Sequence, residues 1–169
     1  MRIHIIGGPG SGKTYAAQVL SRQFGIPAYD LDDLFWNRSA APYGVRASET
    51  ARDTELIAIV QESEWIIEGV YYSWLRPSFE RADFIFVLRP PVSLRDYRIL
   101  ARFVGRKFGT IPTKRETFLD LWRLLRWNHG YDTQNLEEAR ALIHPFQPKI
   151  VECHSADAIV NRLTEKESF

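Results

Sequence analysis

Short apolar, largely β-branched runs alternate along the chain with stretches in which apolar positions recur every three or four residues. Ile3-His4-Ile5-Ile6 reads as a buried strand, and Tyr15, Ala16, Val19, Leu20 and Phe24 behind it form a helical stripe. Pro27-Ala28-Tyr29 predicts a second strand ending at Asp30, Thr50 to Ile59 a helix running to about Ser63, and Trp65-Ile66-Ile67 a third strand closed by Glu68-Gly69. Phe84 to Leu88 predicts a fourth strand, its end marked by Pro90-Pro91. Two or three helices follow, then a last strand over Lys149 to Cys153 and a helix that Ser155 would cap. Strands and helices in this alternation predict an α/β fold in three layers, a five-stranded parallel sheet covered on both faces. No repeat or linker interrupts it, so 1–169 reads as a single domain. The stretch from Asn37 to Ala47, with Pro42 and Gly44, reads as a loop.

Composition narrows the picture little and charge narrows it more. An apolar content of 45% is ordinary for a soluble protein, and no apolar run approaches the ~20 residues that span a bilayer. The run before Gly7 is too short for a secretory core, so a cytoplasmic location is expected. Cys153 is alone, which excludes an internal disulfide, and the four histidines have no metal-ligand spacing. The net charge of +1 hides an asymmetry: Arg95 to Arg126 carries nine Lys or Arg against three acids, so the remainder is negative. A nucleic-acid binder is more often basic throughout, whereas one arginine-rich segment suits closure over a phosphate cluster.

Between the first strand and helix stands Gly7-Gly8-Pro9-Gly10-Ser11-Gly12-Lys13-Thr14, which matches G-x-x-x-x-G-K-[ST] in the strand, loop, helix order that pattern requires. The glycines let backbone N–H groups converge on a polyphosphate, and the helix start adds partial positive charge. Lys13 would reach the β- and γ-phosphates and the Thr14 hydroxyl would hold Mg²⁺, making ATP and Mg²⁺ the expected cofactors.

In a doubly wound sheet, ligands bind beyond the carboxyl ends of the strands. That rule selects Gly7, Asp30, Glu68 and Arg89. Asp30 or Asp32 could orient Mg²⁺ or the attacking hydroxyl, or Asp30 could simply cap the next helix. Glu68 could contact the metal's hydration shell or an acceptor, and Tyr71, Tyr72 and Trp74 could stack on one or fill core. Arg95, Arg98, Arg102 and Arg106 are spaced for one helical face without Glu partners at i±4, so an anion would have to join them. Tyr97, Leu100, Ala101, Val104 and Phe108 beside them read as that helix's core stripe, and Phe118, Leu121, Trp122 and Leu125 as the packing stripe of the next. Lys107 to Lys114, with Gly109 and Pro112, reads as a short lid.

Taken together, the phosphate loop, the strand ending Glu68-Gly69, the strand ending Arg89-Pro90 and Arg102-Phe103-Val104-Gly105-Arg106 resemble the adenylate kinase group of small P-loop kinases. Over nearly the whole length, including Tyr29 to Trp36 and Trp65 to Gly69, the chain is similar to bacterial topology modulation (FlaR-type) proteins, which look like kinases. The resemblance implies a nucleoside-monophosphate-kinase-like fold and assigns Arg102 and Arg106 to the phosphates and the adenine. The Asp-x-Asp of Asp30 and Asp32 is similar to that of shikimate kinases, implying a Mg²⁺ or acceptor role. The chain departs from adenylate kinases in lacking a D-G-F-P-R segment and a long lid, which leaves the acceptor open.

The expectation is therefore an ATP- and Mg²⁺-dependent phosphotransferase. Lys13, Arg102 and Arg106 would stabilise the transferring group, Thr14 and Asp32 would hold the metal, and Asp30, Glu68 and Tyr71 would meet a small-molecule acceptor. Its rival is a nucleotide-hydrolysing regulator or DNA-topology-associated protein, against which stand the near-neutral charge and the lack of a DNA-reading module. The sequence leaves ATP against GTP and the oligomeric state open.

Overall fold

The computed structural model describes residues 1–37, 45–108 and 117–167, of which 165–167 by backbone alone. Most of the expected lid, 109–114, and residues 38–44 of the expected loop lie outside the described residues.

Five parallel strands form one sheet: β1 (Arg2–Gly7), β2 (Ala28–Asp30), β3 (Trp65–Gly69), β4 (Phe84–Leu88) and β5 (Ile150–Cys153), in the order β2-β3-β1-β4-β5. Successive side chains point to opposite faces, and both faces are buried because the crossovers are helical. On one face Ile3, Ile5, Ile66 and Phe86 meet Ala16, Ala17 and Leu20 of α1 (Lys13–Phe24) and Ile159 and Leu163 of α8 (Ala156–Glu167). On the other, Ile6, Ile67, Ile85 and Val87 meet α2 (Leu31–Phe35), α3 (Glu49–Gln61), α4 (Arg76–Arg81) and α7 (Asn135–Ile143). Each such aliphatic side chain, fully removed from water, contributes roughly 1.5–3 kcal/mol. Of the described helices, none is long and apolar enough to cross a membrane.

His4 alternates with isoleucines in β1, and its Nδ1 lies 2.6 Å from the Ser78 hydroxyl with Phe79 edge-on at 4.8 Å. Burial pushes its pKa down to about 3, so it is a neutral core residue at any physiological pH.

Two helices complete the structure, α5 (Val92–Lys107) and α6 (Phe118–Tyr131), and both turn a different face inward from the one their sequence suggests. Tyr97, Leu100, Ala101, Val104 and Phe108 are exposed, Phe108 by 77%, whereas Arg95, Ile99 and Phe103 are buried. Phe118 and Trp122 are likewise exposed, Leu121 and Leu125 are half-buried, and α6 buries Asn128 and Tyr131 instead. The cause is polar. Arg95 Nη2 donates to Asp132 at 2.9 Å and Asn128 Nδ2 to Asp96 at 2.8 Å, and these contacts set which edges of α5 and α6 face one another. In α1, Ala17 takes the buried place expected for Tyr15, which is 58% exposed.

Candidate functional site

β1 lies between β3 and β4, where the sheet's connections diverge, and its carboxyl end opens into the phosphate loop. Gly12, the N-cap of α1, has φ +100°, which a side chain would strain, and no side chain caps the helix start. At Gly8 a Cβ would lie 2.5 Å from Arg95 Nη1, so the loop packs directly on α5.

Lys13 is only 7% exposed, and its Nζ donates to the Gly8 carbonyl at 3.1 Å. Burial lowers its pKa; Glu68, Asp30 and Asp32 oppose that shift and Arg102 adds to it, so Lys13 sits where the site's two signs of charge meet. Ser11 Oγ is buried without a hydrogen-bond partner. The uncapped, glycine-rich start of α1 at the cleft is what fits a phosphate oxygen.

The carboxylates come from two strand ends. Glu68, 3% exposed, accepts the Thr14 hydroxyl at 2.5 Å, and burial raises its pKa to about 7 against the pull of Lys13. Asp30 does cap α2, accepting the Asp32 N–H at 2.9 Å, yet it also lines the cleft. Its pKa is raised by burial first and then by the charges of Asp32 and Asp33. Asp32 accepts the Tyr71 hydroxyl at 2.8 Å, and burial with that neighbouring charge pushes the phenol well above its ordinary range.

The arginine row divides. Arg98 donates to the Gly10 and Ser11 carbonyls at 3.3 and 2.8 Å, and Arg98, Arg102 and Arg106 line the cleft. Arg95 does not: it is fully buried against Asp132, a partner 37 residues away that no i±4 rule could find. Four arginines awaiting one anion therefore become three at the cleft and one brace beneath the loop.

The cleft has a volume of about 1000 Å³, at the upper end of small-molecule sites and roomy enough for a nucleotide and a second ligand. It brings together Pro9, Gly10, Gly12, Lys13, Thr14, Asp30, Asp32, Glu68, Tyr71, Arg102 and Arg106. Gly7 ends β1, and Gly8 and Ser11 lie beneath the loop surface. Sequence reasoning missed Trp127 and Asn135 as cleft walls. No spacing marks them, because they converge from separate elements. Ala156 comes near the loop, 3.8 Å from a Cβ placed on Gly12. The oxygen donors of Thr14, Asp30, Asp32 and Glu68 suit Mg²⁺. Among the described residues no three His, Cys, Asp or Glu converge as a metal cage, so that ion would complete its shell with phosphate oxygens and water, as it usually does.

No protein-family model and no curated protein matches the chain. Solved structures share its fold. Shikimate kinase from Bacteroides thetaiotaomicron matches with a TM-score of 0.56 and 19% identity, over 100% of this chain and 99% of that one. Shikimate kinase from Acinetobacter baumannii, in complex with shikimate, matches at 0.55 and 16%, over 98% and 93%. A protein of Eubacterium ventriosum described as uncharacterized matches at 0.56 and 13%, over 98% of each chain. At these identities the likeness establishes the fold, that of shikimate kinase-like P-loop kinases, and the likeness to topology modulation proteins rests on the sequence alone.

Proposed function

We propose that the protein is a phosphotransferase that moves the γ-phosphoryl group of ATP to a hydroxyl of a small molecule. The observation that carries this reading is that one roomy cleft gathers Lys13 and three arginines together with the carboxylates of Asp30, Asp32 and Glu68. A hydrolytic switch has no need of a cleft with room for a second substrate beside the nucleotide.

The phosphate loop binds the polyphosphate through backbone N–H groups and the start of α1, while Lys13, Arg102 and Arg106 offset charge as it spreads over the transferring oxygens. Arg98, bonded to the loop's own carbonyls, holds its shape. Thr14, with Asp32 or Glu68 behind it, would hold Mg²⁺, whose charge would offset that of the polyphosphate. Asp30 and Asp32 accept hydrogen bonds from the acceptor and orient its hydroxyl, and Tyr71 fixes the Asp32 carboxylate that takes the proton.

The test is a screen of hydroxyl-bearing metabolites with γ-labelled ATP and Mg²⁺. We expect slow hydrolysis with ATP alone and much faster label transfer to at least one acceptor. Hydrolysis stimulated by double-stranded DNA at physiological salt, with no phosphorylated product from a broad panel, would replace this reading with the regulatory one.

A further inference from the structure

Two apolar stripes whose spacing marks them for burial stay largely exposed in the folded chain. On α5, Leu94, Tyr97, Ala101, Val104 and Phe108 are all exposed, Tyr97 by 69%. They follow one another at three, four, three and four residues, the a and d repeat of a seam between two helices. They occupy the side of α5 turned away from the phosphate loop. The loop side is held by Arg95 and Ile99, and a Cβ on Gly10 would lie 2.7 Å from the Arg95 carbonyl and 3.2 Å from the Ile99 side chain. Leu94 and Tyr97 stand about 16–21 Å along the helix from Phe108, well clear of the end at which the described part of α5 stops.

Beside that seam, α6 adds Phe118 and Trp122, both exposed. Phe118 is joined to α5 by its ring, 5.3 Å from that of Phe103, and by Lys107, whose ammonium lies 3.9 Å over it. With Leu100 and the larger members of the seam, these side chains leave on the order of 800 Å² in contact with water. That exceeds the largest apolar patch of most monomers and matches what one partner gives to a standard interface.

The seam is fitted to itself. Its large residues stand towards the ends and Ala101 stands in the middle. In an antiparallel pair with a two-fold axis at Ala101, Phe108 meets Leu94 of the second copy, Tyr97 meets Val104, and the small Ala101 side chains let the backbones approach where they cross. Charge selects the same orientation. Ser93, Arg98, Leu100, Gly105 and Lys107 flank the seam, with no acid to pair a cation across it. A parallel pair would bring two Lys107 ends together, whereas the antiparallel one sets each against a Ser93 end. A membrane surface is the other apolar partner a helix can take. A helix lying on one carries its cations along the rim of its apolar face, but on α5 Arg98, Arg102 and Arg106 are turned to the loop and the cleft.

We propose that the protein is a homodimer in which α5 packs antiparallel on α5 of a second copy, with α6 of each copy beside the seam. Such a dimer is independent of the chemistry proposed for the cleft.

The test is sedimentation velocity of the full chain over about 1–200 µM. Ala101→Glu sets two like charges against each other at the axis, and Ile57→Glu puts the same charge on an exposed apolar residue of a different helix, α3. The expected result is a dimer for the wild type and for Ile57→Glu, and association at least about 100-fold weaker for Ala101→Glu with an unchanged far-UV circular dichroism spectrum. Ala101→Cys reads the register without adding charge. Copper-phenanthroline oxidation should link it to its own copy, since the native Cys153 is buried, while Ile57→Cys stays unlinked. A wild type that is monomeric throughout that range, a dimer that Ala101→Glu leaves intact, or an Ala101→Cys dimer that does not cross-link overturns the proposal. A monomer that binds vesicles of phosphatidylserine and phosphatidylcholine, and loses that binding with Ala101→Glu, overturns it too and gives this face to a membrane.

Discussion

The two halves of the cleft are built by different means. The loop half is assembled from consecutive residues, Gly7 to Thr14, whose backbone geometry would do the binding in the proposed reaction, and is braced by one helix, α5. The rest of the cleft is assembled from side chains of β2, α2, the segment after β3 and the α6–α7 region, and it holds its shape through contacts such as Tyr71 to Asp32 and Trp127 to Asn135. The lesson is that a phosphate-binding half can be carried by a short motif because phosphate is common to many reactions. The half that distinguishes one acceptor from another must be made by convergence.

The largest effect should come from beneath the loop half. Arg95→Ala removes a fully buried side chain and leaves Asp132 only its longer contact to Arg89 at 3.4 Å, and should destabilise the fold by about 3 kcal/mol, read by urea or thermal unfolding. If instead stability holds and only ATP affinity falls, Arg95 belongs with Arg102 and Arg106, and the division of the arginine row is wrong.

Lys13→Ala should reduce turnover by about 10²–10³-fold with little change in melting temperature, since the lysine is held under the loop by one bond to Gly8 and is costly to keep charged there. A lysine in a glycine-rich loop would be expected to stand exposed, but Lys13 is buried. Turnover within tenfold of wild type would remove the loop half from the chemistry.

Asp32→Asn should lower acceptor phosphorylation by about 10²-fold while the Kd for ATP, from calorimetry, moves by less than about threefold. Equal losses in both would mean that the two halves do not act separately.

The smallest effect is one of pH. The Glu68 carboxyl is raised to about 7 in the fold from an ordinary value of 4.5, so the native state favours its protonated form. Stability tied to that proton is fully present below about pH 4.5 and is lost as pH rises through about 7. In the absence of nucleotide and metal, Glu68→Gln should therefore melt above wild type at pH 8, by on the order of 2 kcal/mol, with the difference vanishing towards pH 5. A difference that does not change with pH would mean that Glu68 is not desolvated as described.

Much of this was legible in the chain itself. Short apolar runs marked all five strands, and β4 runs from Phe84 to Leu88 as expected. Ser155 caps the last helix through its hydroxyl, which accepts the Ala158 N–H at 3.1 Å. These features are local: a strand buried on both faces or a glycine loop before a helix is encoded within a few neighbouring residues. Tertiary structure decided the rest. Arg95 went to Asp132 and Arg98 to the loop carbonyls, α5 and α6 turned polar edges towards each other, and Phe35, Arg46, Tyr71 and Trp127 came to face one cleft. Helical spacing says which side chains share a face but not what that face meets, because the partner lies on a segment that only folding brings near.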